Sequence, residues 1–393
     1  MESERLRVVT IGLSITSSWG NGHATTYRSL LRAMNARGHE LLFLERDVPW
    51  YASRRDLVRP AFARVELYRS LPELKRRFTR EIRTADVVIV GSYVPEGIEV
   101  GNWVVRTAKG LRVFYDIDTP ITLAQMENDD VEYLSRELVR QYDLYLSFTG
   151  GPTLHKLEAE YGSPQARALY CSADIEKYFP EQCDKKWDMG YLGTYSSDRQ
   201  EKLHDFLIEA ARVWRDARMA VAGPLYPDDI EWPGNIERVE HLPPAEHRGF
   251  YNHQRFSLNI TRAQMARAGY SPSVRLFEAA ACGAAIISDY WEGLETFFEI
   301  GTEILLTSSM AETLRFLREL SEGERQAVGQ RARARILSGH TAEHRAMQLE
   351  GYLYESRLYT DDRRSRFHQN FAAFPAERKR VSRKMMMPQA GGV

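Results

Sequence analysis

Residues 269–289 read GYSPSVRLFEAAACGAAIISD, and the other parts of the sequence can be placed around this stretch. Ser271 followed by Pro272 is typical of a helix start, because serine caps free backbone N–H groups and proline suits the first helical position. Gly283 is typical of a helix end, and residues 285–288 are apolar enough to form a short buried strand. The stretch therefore predicts a helix that leads directly into a strand.

One face of this predicted helix carries polar groups. Ser271, Arg275 and Glu278 share a stripe at helical spacing, whereas apolar side chains such as Phe277 occupy another face. The free N–H groups of a helix start, with a nearby arginine, suit a phosphate or diphosphate. A carboxylate two turns into the helix can accept hydrogen bonds from sugar hydroxyls. We interpret the stretch as a cradle for a nucleotide-sugar; the alternative is an ordinary amphipathic helix on a sheet, with Glu278 solvated.

The same residues resemble a known motif. Ser-Pro-Ser-x-Arg-x-Phe-Glu-Ala-x-Ala-Cys-Gly, from Ser271 onward, resembles the donor-binding motif of GT-B glycosyltransferases and is most similar to the CgeB-like (spore-maturation) branch. The resemblance implies that Glu278 binds the ribose and that the helix start, with Ser273 and Arg275, faces the diphosphate. Many retaining members carry a second glutamate eight positions before Glu278, where this chain has Tyr270. Retention of the anomeric configuration is therefore not implied, although Tyr270 stays among the predicted donor-binding residues.

Composition limits the class of protein. The chain has 393 residues, 43% of them hydrophobic and 27% charged, which suits a globular protein with two domains. A formal net charge of −1 argues against nucleic acid as the main partner. Three cysteines are too few for a disulfide framework. The N-terminus has no apolar signal core and no apolar run is long enough to span a membrane, so we expect a cytoplasmic protein.

The N-terminal half predicts a doubly wound parallel sheet. Residues 6–15 predict a first strand, which is followed by a glycine-rich loop with Gly22 and His23, a helix, and a second strand at residues 41–44. Ligands of such sheets lie beyond the carboxyl ends of the strands, so we expect Gly22 and His23 at a ligand cleft. The alternative is a tight turn with no ligand.

Two carboxylates, Asp116 and Asp118, follow another predicted strand at residues 112–115. They lie on the same side of an extended chain, but further metal ligands at suitable spacing are missing. Asp118 can equally cap the next helix. The segment Asp-x-Asp-Thr-Pro resembles a recurrent feature of the N-terminal domain of CgeB-like proteins, which favours a functional role.

His23 is the candidate catalytic base. It stands 16 positions before His39 of an Arg-Gly-His sequence, and inverting GT-B transferases of the glucuronosyl and antibiotic type have their catalytic histidine at the same interval. The resemblance implies that His23 faces the acceptor hydroxyl, oriented by Asp116 or Asp118, and that the product is inverted. Imidazole titrates near neutrality and can take a hydroxyl proton. The alternative is that His23 caps the helix or binds donor phosphate.

Residues 54–83 carry ten Lys or Arg and four acidic residues, a local excess of six positive charges. Leu67, Leu71 and Leu74 suggest a helix in this segment. Such a surface can bind an anionic acceptor or a bilayer. It can also be an ordinary solvated helical face, which is the interpretation that we favour.

The C-terminal half repeats the strand–loop–helix pattern. Strands are predicted at residues 189–194, 219–222 and 256–260. Gly193 lies in the loop after the first of these, and Arg262 follows the third, where it can face the central motif and bind a diphosphate. A plain surface position is the alternative for Arg262.

We therefore predict a GT-B architecture of two Rossmann-like domains across a cleft, with a C-terminal helix that crosses back to the first domain. Residues 239–244 resemble the short strand before the base-facing loop of GT-B proteins. The predicted parts are an acceptor domain (1–170), a linker (171–187), a donor domain (188–340), a crossover helix (341–360) and a polar basic tail (361–393).

The resemblance implies a metal-independent glycosyltransferase that moves a sugar from a UDP-, GDP- or dTDP-sugar to an acceptor that the sequence does not identify. Helix dipoles and arginines can neutralise the leaving diphosphate in place of a metal. Two alternatives stay open: a nucleotide-sugar epimerase of the same architecture, and a catalytically silent binding module, suggested by Tyr270. Peripheral contact with a membrane also stays open.

Overall fold

Two parallel β-sheets organise the chain. The computed structural model describes residues 5–20, 22–128 and 130–372, with side chains up to residue 360. The strands of the first sheet are β1 (Arg7–Gly12), β2 (Glu40–Arg46), β3 (Arg64–Tyr68), β4 (Val87–Gly91), β5 (Leu111–Asp116), β6 (Leu144–Ser147) and β7 (Ala166–Ala168). Those of the second are β8 (Trp187–Leu192), β9 (Met219–Ala222), β10 (Ile236–Val239), β11 (Gln254–Asn259), β12 (Ala285–Ser288) and β13 (Leu305–Leu306).

Helices connect the strands and cover both faces of each sheet. In the first half they are α1 (His23–Ala36), α2 (Pro49–Ala52), α3 (Leu71–Thr84), α4 (Gly97–Thr107), α5 (Thr119–Glu127), α6 (Arg136–Val139) and α7 (Pro152–Ala159). In the second half they are α8 (Ser197–Leu203), a π-helix (His204–Glu209), α9 (Ala210–Val213), α10 (Pro244–Asn252), α11 (Ala263–Ala268), α12 (Val274–Ala281), a 3₁₀ turn (Leu294–Thr296), α13 (Met310–Glu319), α14 (Glu322–Gly339) and α15 (Ala342–Ala372).

Each sheet has one point at which the strand order reverses. The orders are β3–β2–β1–β4–β5–β6–β7 and β10–β9–β8–β11–β12–β13, with parallel neighbours throughout. The chain moves outward from β1 and then returns to pair β4 on the other side of β1; β8 and β11 repeat this arrangement. The loops after β1, β4, β8 and β11 therefore open at the carboxyl-end crevices where such sheets bind ligands.

The crossover helix α15 returns to the N-terminal domain and packs on α1. Its Glu350 accepts hydrogen bonds from Arg37 Nε and Nη2 at 2.7 and 2.6 Å, and its Oε1 lies 2.7 Å from His39 Nε2. Gly38, with φ +94°, makes the turn that presents both side chains. The predicted return of this helix is thus confirmed, and the Arg-Gly-His sequence serves to dock it.

Several predicted elements need correction. The segment 54–83 contains the edge strand β3, so Leu67 is a strand residue and the helix begins only at Leu71. The sequence RVELY alternates apolar and polar residues, which is the strand period. The central helix begins at Val274 with Ser273 as N-cap, because the Ser271 side chain makes its hydrogen bond to Thr149 instead of capping a helix. Residues 240–243 form a loop after β10 rather than a strand.

The predicted domain boundaries agree in position with the gap between β7, which ends at Ala168, and β8, which begins at Trp187. They stay a prediction, as does the linker, whose last residue lies in β8. The helix predicted at 341–360 continues to Ala372, and residues 373–393 of the predicted basic tail lie outside the described residues. No helix within the described ranges is long and apolar enough to cross a membrane.

Candidate functional site

His23 lies at the crevice between β1 and β4, as the first residue of α1. Its side chain is only 6% exposed, and its Nε2 lies 3.8 Å from Asp118 Oδ2. The Tyr93 ring, from the loop after β4, packs edge-on against the imidazole at 5.4 Å between ring centres. The Nδ1 atom is buried and has no hydrogen-bond partner among the described residues. One ring nitrogen thus faces a carboxylate, while the other stays unused.

Asp118 is the carboxylate that faces this histidine, at the start of α5. Burial alone would raise the pKa of Asp118, but His23, Arg262 and the Tyr93 hydroxyl together hold it below the usual value. Asp118 is therefore ionised near neutral pH. An ionised carboxylate beside an imidazole orients the ring and stabilises its protonated form.

Asp116 lies behind Asp118 and is fully buried. It accepts hydrogen bonds from Tyr145 Oη at 2.5 Å, from Thr122 Oγ1 at 2.9 Å and from the Asp118 backbone N–H at 3.2 Å. Burial raises the pKa of Asp116 to about 6 despite these bonds. The three donors fix the loop between β5 and α5, so the position beside His23 belongs to Asp118 and the predicted orienting role of Asp116 is not supported.

Arg262 brings the second domain to this cluster. It follows β11 and is the N-cap residue of α11, and its charge acts on both Asp118 and Tyr93 of the first domain. Its Nε atom is buried without a hydrogen-bond partner in the described part of the chain. A cation with an unused donor therefore stands across the cleft from His23.

Arg275 lies deeper than predicted, between the ends of β8 and β11. Its Nε donates to the Leu192 carbonyl and its Nη1 to Asn259 Oδ1 at 3.0 Å. Ser273 Oγ donates to the same Asn259 oxygen at 2.8 Å. A Cβ at Gly193 would lie 2.8 Å from Arg275 Nη2, so glycine is required for this approach. Arg275 holds two strand ends together, in addition to any contact with a ligand.

Arg199 is a cation of the site that the sequence reasoning missed. It lies in α8, directly after the loop that follows β8, and its Nη2 donates to the Thr194 carbonyl at 2.6 Å. Its Nε is buried and unpartnered within the described ranges. Burial, and then the charge of Arg275, lower the pKa of Arg199 despite the nearby tyrosines and Asp198. The sequence contains one indication of this role: Arg199 follows the loop after β8, the strand at which the strand order reverses.

Glu278 is buried, with 4% exposure, which excludes the solvated interpretation. Tyr251 Oη donates to its Oε2 at 3.2 Å, and His247 Nδ1 lies 3.9 Å from the same oxygen. Burial raises the pKa of Glu278 to about 7, although Tyr178 and Tyr251 act against this shift. A buried carboxylate with so few donors is suited to bind the hydroxyls of a ligand.

The residues just before α12 join the domains rather than line an open pocket. Ser271 Oγ lies 2.9 Å from Thr149 Oγ1, and the Tyr270 carbonyl accepts a hydrogen bond from Gly150 N–H at 3.0 Å. Tyr270 has φ +47°, a left-handed conformation that is rare for a residue with a side chain. Ser271 and Tyr270 therefore connect α12 to the loop after β6. Gly22 lies exposed at the start of α1, with open space around it.

The comparisons with known proteins bear on the family and the fold. Residues 199–351 match the family model described as "Glycosyl transferase-like". The chain is a glycosyltransferase with the GT-B fold. No curated protein is significantly similar in sequence.

Solved structures with the GT-B fold superpose on most of this chain. Sucrose-phosphate synthase from Thermosynechococcus elongatus superposes with a TM-score of 0.64 at 12% identity, over 90% of this chain and 100% of that chain. HepE from Anabaena, in complex with UDP-glucose, gives 0.67 at 11% identity, over 89% and 100%. An α-glucosyltransferase in complex with UDP-glucose and DNA containing an abasic site gives 0.67 at 12% identity, over 89% and 100%.

The family match divides the site of this glycosyltransferase into two parts. Arg199, Arg262, Arg275 and Glu278 fall within the matched residues 199–351. His23 and Asp118 fall outside them. The cations and the buried carboxylate thus lie in the part that matches the family model, whereas His23 and Asp118 lie outside it.

Proposed function

We propose that the protein transfers a sugar from a nucleotide-sugar to an acceptor hydroxyl, with inversion at the anomeric carbon. One observation supports this most strongly: α11, whose N-cap is Arg262, contacts α5, whose N-cap Asp118 faces His23. A group that can remove a proton and a group that can bind a phosphate thus meet at one point of the cleft. Transfer of a sugar needs both at the reacting carbon.

We place the donor in the second domain. Glu278 would accept hydrogen bonds from the ribose hydroxyls, and Arg199 and Arg262, each with a buried unpartnered Nε, would bind the diphosphate. Ser271, Ser273, Arg275 and Gly193 would shape the site around them. The solved structures with UDP or UDP-glucose make UDP the first nucleotide to test, and GDP- and dTDP-sugars are the other predicted donors.

We propose His23 as the base. Because Nε2 faces Asp118, Nδ1 is the nitrogen left to take the proton of the acceptor hydroxyl. The acceptor oxygen then forms the new bond to the anomeric carbon while the bond from that carbon to the diphosphate breaks. Ionised Asp118 stabilises the imidazolium, and the arginines take up the charge of the departing nucleoside diphosphate.

We also propose that no metal is required, because the two arginines supply the positive charge that a divalent ion supplies elsewhere. Activity that is unchanged by a chelator such as EDTA would support this, and its loss with recovery on added Mg²⁺ or Mn²⁺ would contradict it.

The similarity of the central motif and of Asp-x-Asp-Thr-Pro leads us to place the chain in the CgeB-like branch, also as a proposal. With a net charge of −1, we still do not expect nucleic acid as acceptor.

A panel of nucleotide-sugars tests the proposed reaction. We expect slow release of free nucleoside diphosphate from one donor without acceptor, and an inverted anomer in the NMR spectrum of any transfer product. A new sugar isomer that stays attached to the nucleotide would indicate an epimerase. Tight nucleotide binding without turnover on any acceptor would indicate a binding module, and a retained anomer would exclude His23 as the base.

A further inference from the structure

The loop before His23 is fastened to the segment that follows β2. The Thr16 carbonyl accepts hydrogen bonds from the Asp56 and Leu57 N–H groups at 3.0 and 3.1 Å. Ser18 donates to Asp56 through its N–H and its hydroxyl, at 3.1 and 2.7 Å. Arg28, on the same helix as His23, binds both Asp56 oxygens at 3.0 and 2.6 Å. Residues 54–57 are therefore held in place beside the catalytic loop.

An aromatic ring and a cation lie at the surface where residues 54–57 bind the loop. Trp19 is 36% exposed, and the Arg54 guanidinium lies over its ring at 3.8 Å from the ring centre. Ser17 Oγ donates to the Arg54 carbonyl at 2.8 Å, which fixes the arginine backbone. Trp50, on α2 just before Arg54, is 56% exposed. Exposed tryptophans on a rigid support are typical of a binding surface rather than of a random surface position.

The charge of this surface is positive. Arg54 and Arg59 form no ion pair with any carboxylate of the described residues, whereas neighbouring Arg55 and Asp56 are paired with Asp47 and Arg28. The structure thus divides the basic segment 54–83. Its second part lies on β3 and α3, where Arg77 pairs with Glu66 and Glu73. Residues 54–57 of the first part lie beside the loop that follows β1, at the carboxyl edge of the sheet.

We propose that Trp19 and Arg54 form the acceptor subsite, and that the acceptor is a sugar that carries a phosphate or a carboxylate. The sugar ring packs against the exposed part of Trp19 beside the guanidinium that covers the indole, and the anionic group binds Arg54, which forms no ion pair among the described residues. Arg28, on the helix that begins at His23, binds Asp56 two positions after Arg54, so the proposed subsite lies beside the loop that leads to the base. The proposal rests on the proposed function, since it names the acceptor class for that reaction.

Calorimetric titration with three probes tests the subsite: glucose, glucose 6-phosphate and glucuronate. Saturating UDP occupies the donor site, so that the phosphate probe does not bind the donor arginines. We expect both anionic sugars to bind more tightly than glucose. Arg54→Gln should weaken their binding by about tenfold or more, the size of one charge-assisted hydrogen bond. Trp19→Ala should weaken the binding of both anionic sugars.

Arg76→Gln is the matched control, because Arg76 is an exposed arginine of the same basic segment but lies on α3. It should bind all probes like the wild type. Equal binding of glucose and the anionic sugars, no binding of either anionic sugar, or equal losses in Arg54→Gln and Arg76→Gln would overturn the proposal. So would binding to phosphatidylglycerol vesicles that depends on Arg54 in the absence of sugar binding, which would indicate a membrane surface. Failure of UDP to bind contradicts the proposed function, whereas normal UDP binding with equal binding of the anionic sugars to wild type and Arg54→Gln overturns the acceptor subsite alone.

Discussion

At the scale of single residues, the buried carboxylate of Glu278 predicts a pH-dependent affinity for the nucleotide. Its pKa of about 7 means that a large fraction is protonated in the free protein at neutral pH, and ribose hydroxyls bind best to the ionised form. UDP binding should therefore release protons and strengthen between about pH 6 and about pH 8. Calorimetry in buffers of different ionisation enthalpy measures this release. Glu278→Gln should abolish the pH dependence and weaken binding by about 1.5–3 kcal/mol.

The same raised pKa has a consequence for stability. The folded pKa of Glu278 lies above its ordinary value of 4.5, so its contribution to stability is complete below about pH 4.5 and is lost as pH rises through about 7. In Glu278→Gln, the unfolding temperature should lack the part of its pH dependence that comes from this carboxylate. Glu295→Gln, which removes an exposed acid, should keep it. Parallel pH profiles for wild type and Glu278→Gln would show that the carboxylate is not perturbed as argued.

The pair of His23 and Asp118 gives a second residue-scale prediction. His23→Ala should reduce turnover by about 100-fold or more with little change in UDP affinity, because the base acts only in the chemical step. Asp118→Asn should also reduce turnover. Asp116→Asn, two positions away, should instead lower the unfolding temperature, because it disturbs a fully buried hydrogen-bonded loop. Near-normal turnover of His23→Ala would exclude it as the base.

The sequence predicts which residues follow the strands, but not how deeply their side chains are buried. His23, Asp118 and Arg262 each follow the carboxyl end of a parallel strand, β1, β5 and β11, and the strand pattern alone predicts that such residues face a ligand crevice. The inward placement of Asp116 and Arg275 depends on hydrogen bonds to distant residues, which no local pattern contains. Their roles therefore needed the structure.

At the scale of elements, Arg275 ties together the carboxyl ends of β8 and β11. Its replacement by Ala leaves the Leu192 carbonyl and Asn259 without their donors, so the protein should lose about 1–3 kcal/mol of stability. Arg262→Ala should cost little stability, since its Nε has no described partner. It should weaken UDP binding far more than uridine binding. Chemical denaturation together with UDP and uridine titrations separates these effects; equal losses of both ligands in Arg262→Ala would mean that it acts through the fold.

The periodicity of the sequence predicts the positions of some strands and helices but not of others. The apolar run of β9 is fully buried, and the sequence predicts a strand at the same residues, 219–222. Edge strand β3 was missed, because it is short and half-exposed and lies among arginines that suggest a helical face. The start of α12 was placed two residues early, because Ser271 bonds to Thr149 of the other domain instead of capping the helix. In both cases, contacts with distant parts of the chain outweigh the local preference of the sequence for a helix or a helix cap.

At the scale of the whole molecule, Glu350 is the carboxylate of the C-terminal helix that binds the Arg-Gly-His turn of the first domain, beside hydrogen bonds from Tyr352 and Ser356 to Ala168 and Gln165. Glu350 binds Arg37 through two hydrogen bonds and also contacts His39, whose Nδ1 accepts a bond from Leu6 N–H at 3.1 Å. Burial opposes ionisation of Glu350, yet Arg37 and His39 lower its pKa below the usual value. Its stabilising contribution is therefore present above about pH 4.5 and is lost as pH falls through the lowered folded pKa.

Glu350→Gln should destabilise the protein by about 2 kcal/mol near neutral pH, since it removes charge-assisted hydrogen bonds at a partly buried site. The difference from the wild type should shrink as pH falls, because protonation removes the same interaction from the wild type. Glu355→Gln, on the same helix but with only a 3.9 Å contact to Arg167, is the matched control and should change stability little. Unfolding curves at several pH values measure both variants. A Glu350→Gln deficit that is independent of pH, or equal to that of Glu355→Gln, would mean that α15 is held by its apolar contacts with α1 rather than by this carboxylate.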